Sequence, residues 1–161
     1  WMDGEEVRPN PKRPSPPLET QYEDKVLAEA VASTRELRLI ARATILQKLS
    51  LRIYLREIGE NRAVAWLLFN GKELVGTGRM FIAGDFARAG IAVIAKPYRR
   101  QGLYAAVLPV LRAKLDIPIE SDVSMTAGAI GAWKRAGGKL TDRQGDKVFR
   151  INPADLVPWW A

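Results

Sequence analysis

The chain contains neither cysteine nor histidine among its 161 residues. Without cysteine it has no disulfides, no thiolate nucleophile and no zinc–cysteine site. Without histidine it lacks the commonest general base and metal ligand. These absences exclude a Ser-His-Asp hydrolase and a histidine-ligated metalloenzyme, and we expect no metal cofactor. Proton chemistry must therefore use a carboxylate, a tyrosine, a lysine or water.

Long hydrophobic runs are also missing, since no stretch approaches the roughly 18 apolar residues of a membrane helix and no signal-peptide core is present. We therefore expect one cytoplasmic domain without a membrane span. The net charge of +7 favours a polyanionic partner, such as nucleic acid or a phosphorylated cofactor. The charge is spread along the chain, without a recognition helix or an aromatic and basic platform, so nucleic-acid binding is an alternative that is not favoured.

Changes in hydrophobic period divide the chain. Residues 1–20 contain five prolines and few apolar side chains, which predicts an extended or disordered arm. Residues 21–49 have apolar positions at helical spacing, which predicts one or two helices. From Leu51 the period is two, and an Asn-Gly pair at Asn70 and Gly71 predicts a hairpin turn. An antiparallel meander is thus expected, with strands at Leu51–Glu57, Ala63–Phe69, Glu73–Ile82 and Phe86–Ala95.

A strand, a basic glycine turn and a helix follow one another around Gly102. The apolar run ends at Ala95, and a helical pattern covers Tyr104–Lys114. The first N–H groups of a helix have no intrahelical partner and carry the positive end of the helix dipole. Gly102 lets the main chain approach an anion closely, and Arg99 and Arg100 add positive charge. This arrangement predicts a site for a phosphorylated ligand.

Residues Arg99–Tyr104, with the sequence RRQGLY, resemble the pyrophosphate loop of the GCN5-related N-acetyltransferase (GNAT) superfamily. That loop has the pattern Arg/Gln-x-x-Gly-x-Gly/Ala, and Tyr104 departs from it in the last position. Leu74–Arg79 resembles the third strand of the family. A helix predicted over Thr126–Gly138 keeps the spacing of the family's late helix, with Trp133 where that helix often has tyrosine. This late helix is also similar to that of GNAT-like bacteriophage proteins.

The resemblance implies an α+β fold, in which a mixed and mostly antiparallel twisted sheet is flanked by helices. The fourth and fifth strands should splay to admit the pantetheine chain, and Leu115–Ser121 is expected to be the fifth strand. A last hairpin is predicted from Lys139–Leu140 and Lys147–Ile151. The GNAT-like domain then covers residues 21–151, with N-terminal helices at 21–49 and a core at 51–151, and residues 152–161 form an aromatic tail.

The resemblance further implies acetyl-CoA as co-substrate and an amine as acceptor. A backbone N–H of the fourth strand, within Gly90–Ile94, should polarise the thioester carbonyl. Glu120 or Asp122 is the candidate general base, although Asp122 could instead cap the late helix. An indole N–H is a very poor proton donor, so Trp133 is expected to be a core residue and Tyr104 becomes the alternative acid. The residues expected to contact the cofactor are Ile91, Val93, Ile94, Arg99, Arg100, Gln101, Gly102, Leu103 and Tyr104.

Two other functions stay open at the level of sequence. The chain could be a GNAT-like binding or structural protein without catalysis, and a virion component if it is phage-encoded. The proline-rich arm and the C-terminal tail would then attach it to a protein partner. It could also be a small basic nucleic-acid-binding protein, whose binding would weaken as salt is raised.

Overall fold

The computed structural model describes Glu29 and residues 37–152, which form one eight-stranded sheet and two helices. The strands are β1 (Arg38–Ile45), β2 (Leu49–Ile58), β3 (Asn61–Asn70), β4 (Glu73–Ala83), β5 (Phe86–Ile94), β6 (Ile119–Glu120), β7 (Lys139–Arg143) and β8 (Asp146–Ile151). The helices are α1 (Leu103–Leu115) and α2 (Ala127–Arg135), and a 3-10 turn covers Lys96–Tyr98. The predicted arm lies outside the described residues, as do residues 21–28, 30–36 and 153–161.

The strand order is β1-β2-β3-β4-β5-β6-β8-β7, and every neighbouring pair is antiparallel except β5 and β6. The predicted α+β fold, with a mixed and mostly antiparallel sheet flanked by helices, is therefore confirmed. No helix in the described residues is long and apolar enough to cross a membrane.

The helix predicted to run to residue 49 is wrong over its second half, where β1 lies instead. Ala41, Ala43 and Ile45 are more buried than the residues between them, which is the two-residue period of a strand. Pairing with β2, in which Ile45 lies opposite Leu49, outweighs the helical propensity of this alanine- and arginine-rich segment. Glu29, further upstream, is helical.

The core forms between the sheet and α1. Side chains of paired strands meet on one face, as Ile53 does with Trp66 and Leu51 with Leu68. All four are at most 1% exposed, and they join one buried cluster with the apolar face of α1. Burial of each such side chain contributes about 1.5–3 kcal/mol, so this layer holds α1 firmly against the strands.

Two irregularities of β5 open the sheet beside α1. Met80 pairs with Ala89 but Gly78 pairs with Ala92, so β5 has an extra residue, and a β-bulge, at Gly90 and Ile91. On its other edge β5 pairs with β6 only through Ala87 and Arg88. Beyond Arg88 the two strands separate. Because β5 and β6 correspond to the predicted fourth and fifth strands, this separation confirms the predicted splay.

The splay is wide because β6 is short. The predicted strand Leu115–Ser121 is realised only as Ile119–Glu120, since α1 continues to Leu115 and ends on Asp116 in the left-handed region with φ 56°. Pro118 has no N–H to donate, although its carbonyl accepts a hydrogen bond from the Ala87 amide at 2.9 Å. Helix α1 also continues through the buried Pro109, which leaves the Ala105 carbonyl without its usual N–H donor.

Candidate functional site

A cavity of about 770 Å³ lies in the wedge between β5, the N-terminus of α1, and α2 with the segment that precedes it. Its walls are the edge of β5, the loop before α1 and the small residues of α2. Because the wedge is the gap between the splayed strands, the cavity follows directly from the short β6 and the bulge in β5.

The edge of β5 that faces the cavity presents free backbone groups. The Ala95 amide donates to the Val75 carbonyl of β4 at 2.8 Å. Because N–H directions alternate along an antiparallel ladder, the amides of Ala92 and Ile94 point away from β4 and toward the wedge. Both residues line the cavity, and no strand of the described chain pairs with β5 there. An extended ligand could therefore hydrogen-bond to this edge as a strand would.

The loop before α1 forms the anion-binding end of the cavity. Arg100 and Gly102 both have positive φ, 61° and 73°, and Gly102 is the N-cap of α1. Among the residues that the structure describes, no side chain caps this helix, and its first turn contains no acidic residue. The amides of Leu103, Tyr104 and Ala105 thus have no intrahelical acceptor, since the first helical bond is from Ala106 to the Gly102 carbonyl at 3.0 Å. These groups suit a phosphate.

The left-handed conformation of Arg100 costs roughly 1–2 kcal/mol, because its Cβ crowds the backbone. Such strain concentrates at ligand-binding loops. Here it turns the chain so sharply that Gly102 can start the helix at the rim of the cavity. The backbone geometry and the basic side chains of this loop therefore favour the same kind of ligand.

Positive charge dominates the cavity wall. Arg99, Arg100 and Arg135 line it, and Asp122 is the single carboxylate that does so in the described chain. Arg99 is held in place because its Nε donates to the Ile94 carbonyl at 3.0 Å. The cavity is therefore suited to an anionic ligand that extends toward one acidic group.

Asp122 lies just after β6, and its Oδ1 accepts a hydrogen bond from the Val123 amide at 2.7 Å. The alternative expectation that it caps the late helix is wrong. Thr126 is the N-cap of α2, because its side-chain oxygen accepts from the Ala129 amide at 3.1 Å. Asp122 is therefore free of capping and faces the cavity.

Glu120, the other candidate base, does not line the cavity. It is buried, with its side chain 5% exposed, and forms ion pairs with Arg143 at 3.0 Å and with Arg150. These arginines belong to β7 and β8, so the carboxylate joins the three strands of this end of the sheet. Glu120 therefore belongs to a buried structural ion pair and is not part of the cavity wall.

Tyr104 lines the cavity from the first turn of α1 and is partly buried. Its ring stacks on Trp66, with centroids 6.1 Å apart and planes 18° from parallel. Burial raises the pKa of its hydroxyl from 10.0 to about 12, a shift that the hydrogen bond with Trp133 opposes and the charge of Asp122 reinforces. The phenol therefore stays protonated at neutral pH and lies close enough to Asp122 to sense its charge.

Most residues expected to contact the cofactor do line the cavity, namely Ile91, Ile94, Arg99, Arg100, Gly102, Leu103 and Tyr104. Val93 and Gln101 do not. Val93 is buried on β5 opposite Thr77. The side-chain amide of Gln101 donates to the Pro97 carbonyl at 3.3 Å and is exposed. The alternation of side chains along a strand accounts for the first of these differences.

Helix α2, for which the sequence predicts no contact with the cofactor, also contributes to the cavity. Gly128, Ala129, Ala132 and Trp133 form part of its wall. The small residues leave room between α2 and β5, and their spacing along one helical face is a signal that the sequence does contain. Among the described residues, no group of three or more His, Cys, Asp or Glu side chains could hold a metal ion.

Comparison by sequence finds no matching family model and no matching curated protein. Comparison by structure finds GNAT-family and other acetyltransferases. The PaiA N-acetyltransferase of Thermoplasma acidophilum, solved in complex with coenzyme A, is 11% identical with a TM-score of 0.46, and the match covers 56% of this chain and 60% of that one. The chain thus spans less than two thirds of that protein's length.

Two further similar structures come from bacteria. The ribosomal-protein-S18-alanine N-acetyltransferase of Escherichia coli is 18% identical with a TM-score of 0.43, over 58% of this chain and 68% of that one. A GNAT-family protein of Bacteroides thetaiotaomicron is 15% identical with a TM-score of 0.46, over 86% of this chain and 83% of that one. At these identities the similarity concerns the fold, and none of these matches bears on the resemblance to phage proteins.

Proposed function

We propose that the protein is an acetyl-CoA-dependent N-acetyltransferase, in which an amine attacks the thioester directly. The proposal rests on the continuity of one cavity. It begins at the uncapped N-terminus of α1, follows the unpaired edge of β5 and reaches Asp122 and Tyr104. An anion site, a strand-like edge and a carboxylate beside a phenol, in that order, match the pyrophosphate, pantetheine and thioester of acetyl-CoA.

The cofactor would be held mainly by backbone groups. Pyrophosphate oxygens would accept hydrogen bonds from the free amides at the start of α1, with Arg99 and Arg100 supplying positive charge. The amide-containing pantetheine chain would lie along β5, where the amides of Ala92 and Ile94 face the cavity. Its thioester would then lie near the β-bulge at Gly90 and Ile91.

The transfer reaction needs a base and a polarised carbonyl. A backbone amide beside the bulge, such as that of Ala92, would donate to the thioester oxygen. Asp122 would accept a proton from the amine, directly or through water, as the amine nitrogen bonds to the carbonyl carbon. The carbon–sulfur bond then breaks, the sulfur leaves as the coenzyme A thiolate, and Tyr104 lies on the same cavity wall to stabilise it.

Binding is tested by thermal denaturation with and without acetyl-CoA. At one hundred times its Kd, a ligand that binds only the native state stabilises it by about 2.7 kcal/mol, which raises Tm by roughly 5–11 °C for a domain of this size. Gly102→Asp should abolish this shift, because it places a carboxylate among the free amides. Gly102→Asn is the matched control, since asparagine tolerates the left-handed conformation equally well and carries no charge.

Turnover is tested by following free coenzyme A thiol with a panel of primary amines as acceptors. Asp122→Asn should lower kcat by about 10²–10⁴-fold, the usual contribution of a general base, while the acetyl-CoA Kd stays the same. Full activity in this variant would remove Asp122 from the mechanism.

A non-catalytic GNAT-like binding protein is the second candidate. It is favoured by Trp133, which is buried at 1% exposure where the resemblance places a proton donor. Saturable binding of acetyl-CoA without acetylation of any amine would support it. Salt-sensitive binding of nucleic acid together with no affinity for acetyl-CoA would instead support the nucleic-acid-binding function.

A further inference from the structure

The sheet has a second face, which lies on the side opposite α1. Ile53 and Trp66 pack into the cluster with α1, so the residues on either side of them along β2 and β3 point to this second face. On strands β1 to β5 of the described chain, the register places no aspartate or glutamate on it. It does carry five arginines, which are Arg42, Arg52, Arg56, Arg79 and Arg88. The second face is therefore strongly basic.

Two neighbouring rows of this face each hold an arginine and an aromatic residue on either side of an alanine. In the first row Arg56 pairs with Ala63, and Ala63 pairs with Phe81. The second row consists of Tyr54, Ala65 and Arg79. The side chains of β2 and β4 form the walls, and the alanines of β3 the floor, of a shallow groove that we call the arginine groove. Since neighbouring strands are about 4.8 Å apart, its walls are about 10 Å apart.

The arginine groove is open to solvent. Phe81 is 47% exposed. Three arginines around it are exposed as well, namely Arg56, Arg79 and Arg88, the last of which pairs with Phe81. Within the part of the chain that the structure describes, the side chains of these three arginines form no hydrogen bond or ion pair. Their guanidinium groups are therefore available to an anion that lies in the groove.

One acidic residue of the next strand lies beside the groove. Glu120 of β6 pairs in register with Arg88. Its carboxylate is 5% exposed and already forms ion pairs with Arg143 and Arg150. These two arginines more than neutralise the carboxylate, so the charge along this side of the face stays positive. A basic face of this kind attracts a polyanion.

The aromatic side chains distinguish between the possible polyanions. An acidic peptide would use only the arginines, whereas a single nucleic-acid strand also stacks its bases on aromatic rings. A duplex is read by a helix or a ribbon that enters its major groove, and a flat sheet face offers neither. Arginine and aromatic side chains on both walls supply what single-strand sites combine, which is positive charge along the backbone and platforms for the bases.

We propose that the arginine groove binds a single strand of nucleic acid, with phosphates on its arginines and bases stacked on Tyr54 and Phe81. None of the groove residues lines the cavity, so this inference does not depend on the proposed acetyl transfer. The sequence does not reveal the groove, because its members come from three strands and meet only through the register of the sheet.

The test of the charge is fluorescence anisotropy of a labelled single-stranded DNA dodecamer at several salt concentrations. Each phosphate contact contributes about −0.7 to the slope of log K against log salt, so three arginine contacts predict a slope of about −2. Arg88→Gln should reduce the magnitude of this slope by about 0.7. Arg62→Gln is the matched control and should leave the slope unchanged, since Arg62 is exposed but pairs with Ile82 on the face that packs toward α1.

The test of stacking uses two substitutions of Phe81. Phe81→Leu keeps an apolar side chain but removes the ring, so it should weaken binding of the dodecamer by about 5–150-fold, the usual contribution of one stacked base. Phe81→Tyr keeps the ring and should bind as the wild type does. Thermal denaturation of both variants checks that they are folded.

Competition with acetyl-CoA separates the groove from the cavity. Saturating acetyl-CoA should leave the Kd of the dodecamer unchanged, as should Gly102→Asp. Displacement of the dodecamer by acetyl-CoA would place the nucleic acid in the cavity and overturn the inference. Equal affinity for polyglutamate, tighter binding of the duplex, or equal slopes in Arg88→Gln and Arg62→Gln would overturn it as well. None of these results bears on the proposed acetyl transfer, which the turnover assay tests separately.

Discussion

Replacing Glu120 by glutamine should separate a structural carboxylate from a catalytic one. Glu120 and Asp122 are two residues apart, and the sequence makes both of them candidate bases. In the structure Glu120 forms ion pairs with Arg143 and Arg150 and does not line the cavity, whereas Asp122 does. Glu120→Gln should therefore lower stability and leave catalysis intact.

The magnitude follows from the burial of the three groups. Removing one partner of a buried ion pair costs about 3–5 kcal/mol, because a charge is left without compensation. The side chains of Arg143 and Arg150 are 18% and 26% exposed, so water recovers part of this energy. We expect a loss of about 2–3 kcal/mol, which lowers Tm by roughly 4–12 °C for a domain of this size.

The assay is thermal denaturation followed by turnover at a temperature well below both melting points. Asp142→Asn is the matched control, since Asp142 forms an ion pair with Lys147 on the same hairpin, but both side chains are more than 60% exposed. It should change stability by less than about 0.5 kcal/mol. A Glu120→Gln protein with unchanged Tm and strongly reduced kcat would refute the structural role.

Three further predictions concern packing and pH. Gly78→Ala places a methyl group about 2.4–2.6 Å from atoms of the Trp66 indole. This substitution should destabilise the fold by about 1–3 kcal/mol and alter the near-UV circular dichroism. An unchanged spectrum would contradict the packing of Trp66 against Gly78. Arg112 is buried, and its Nε and Nη1 find no hydrogen-bond partner in the described chain. Arg112→Met should therefore increase the free energy of unfolding by about 1–3 kcal/mol and raise Tm. A lower Tm would show that the charge of Arg112 is compensated. Because the pKa of Tyr104 is raised from 10.0 to about 12, the native state keeps a proton that the unfolded chain releases between these pH values. The contribution of this proton to stability is complete below pH 10 and is lost as the pH rises toward 12. Urea unfolding across this range should show a shallower decline in the free energy of unfolding for Tyr104→Phe than for the wild type, and identical slopes would contradict the shift.

The elements that the sequence predicts well carry local signals. Asn70 and Gly71 predict the hairpin between β3 and β4, whose turn is formed by Gly71, at φ 62°, and Lys72, while Asn70 pairs with Glu73 as the last residue of β3. Gly102 marks the start of α1, and Gly138 closes α2, where its amide donates to the Trp133 carbonyl at 2.8 Å. In each case the chain needs a conformation or a close contact that one residue type supplies, so the signal lies within a few residues.

The hairpin between β1 and β2 has no such signal. Its turn places Leu46 and Gln47 at positive φ, 51° and 63°, where glycine or asparagine is normally found. Pairing with β2 holds these residues in the unfavourable region. Because the stabilising contacts belong to the neighbouring strand, the local pattern of alanine, leucine and arginine predicts a helix instead.

The choice between Glu120 and Asp122 also depends on distant partners. Arg143 and Arg150, which bind Glu120, are 23 and 30 residues away in the sequence. No periodicity around β6 distinguishes the two carboxylates, since residues two apart in an extended segment face the same side. Only the pairing of β6 with β8, and of β8 with β7, brings the arginines to one carboxylate and leaves the other beside the cavity.

Calorimetric titration of the wild-type protein with acetyl-CoA tests the central claim most directly, namely that the wedge between β5 and α1 holds this cofactor. We predict saturable one-to-one binding, which is lost in Gly102→Asp and retained in Gly102→Asn, because only the aspartate repels the pyrophosphate at the free amides of α1. Absence of saturable binding up to millimolar concentration, or equal binding by the two variants, would contradict the claim.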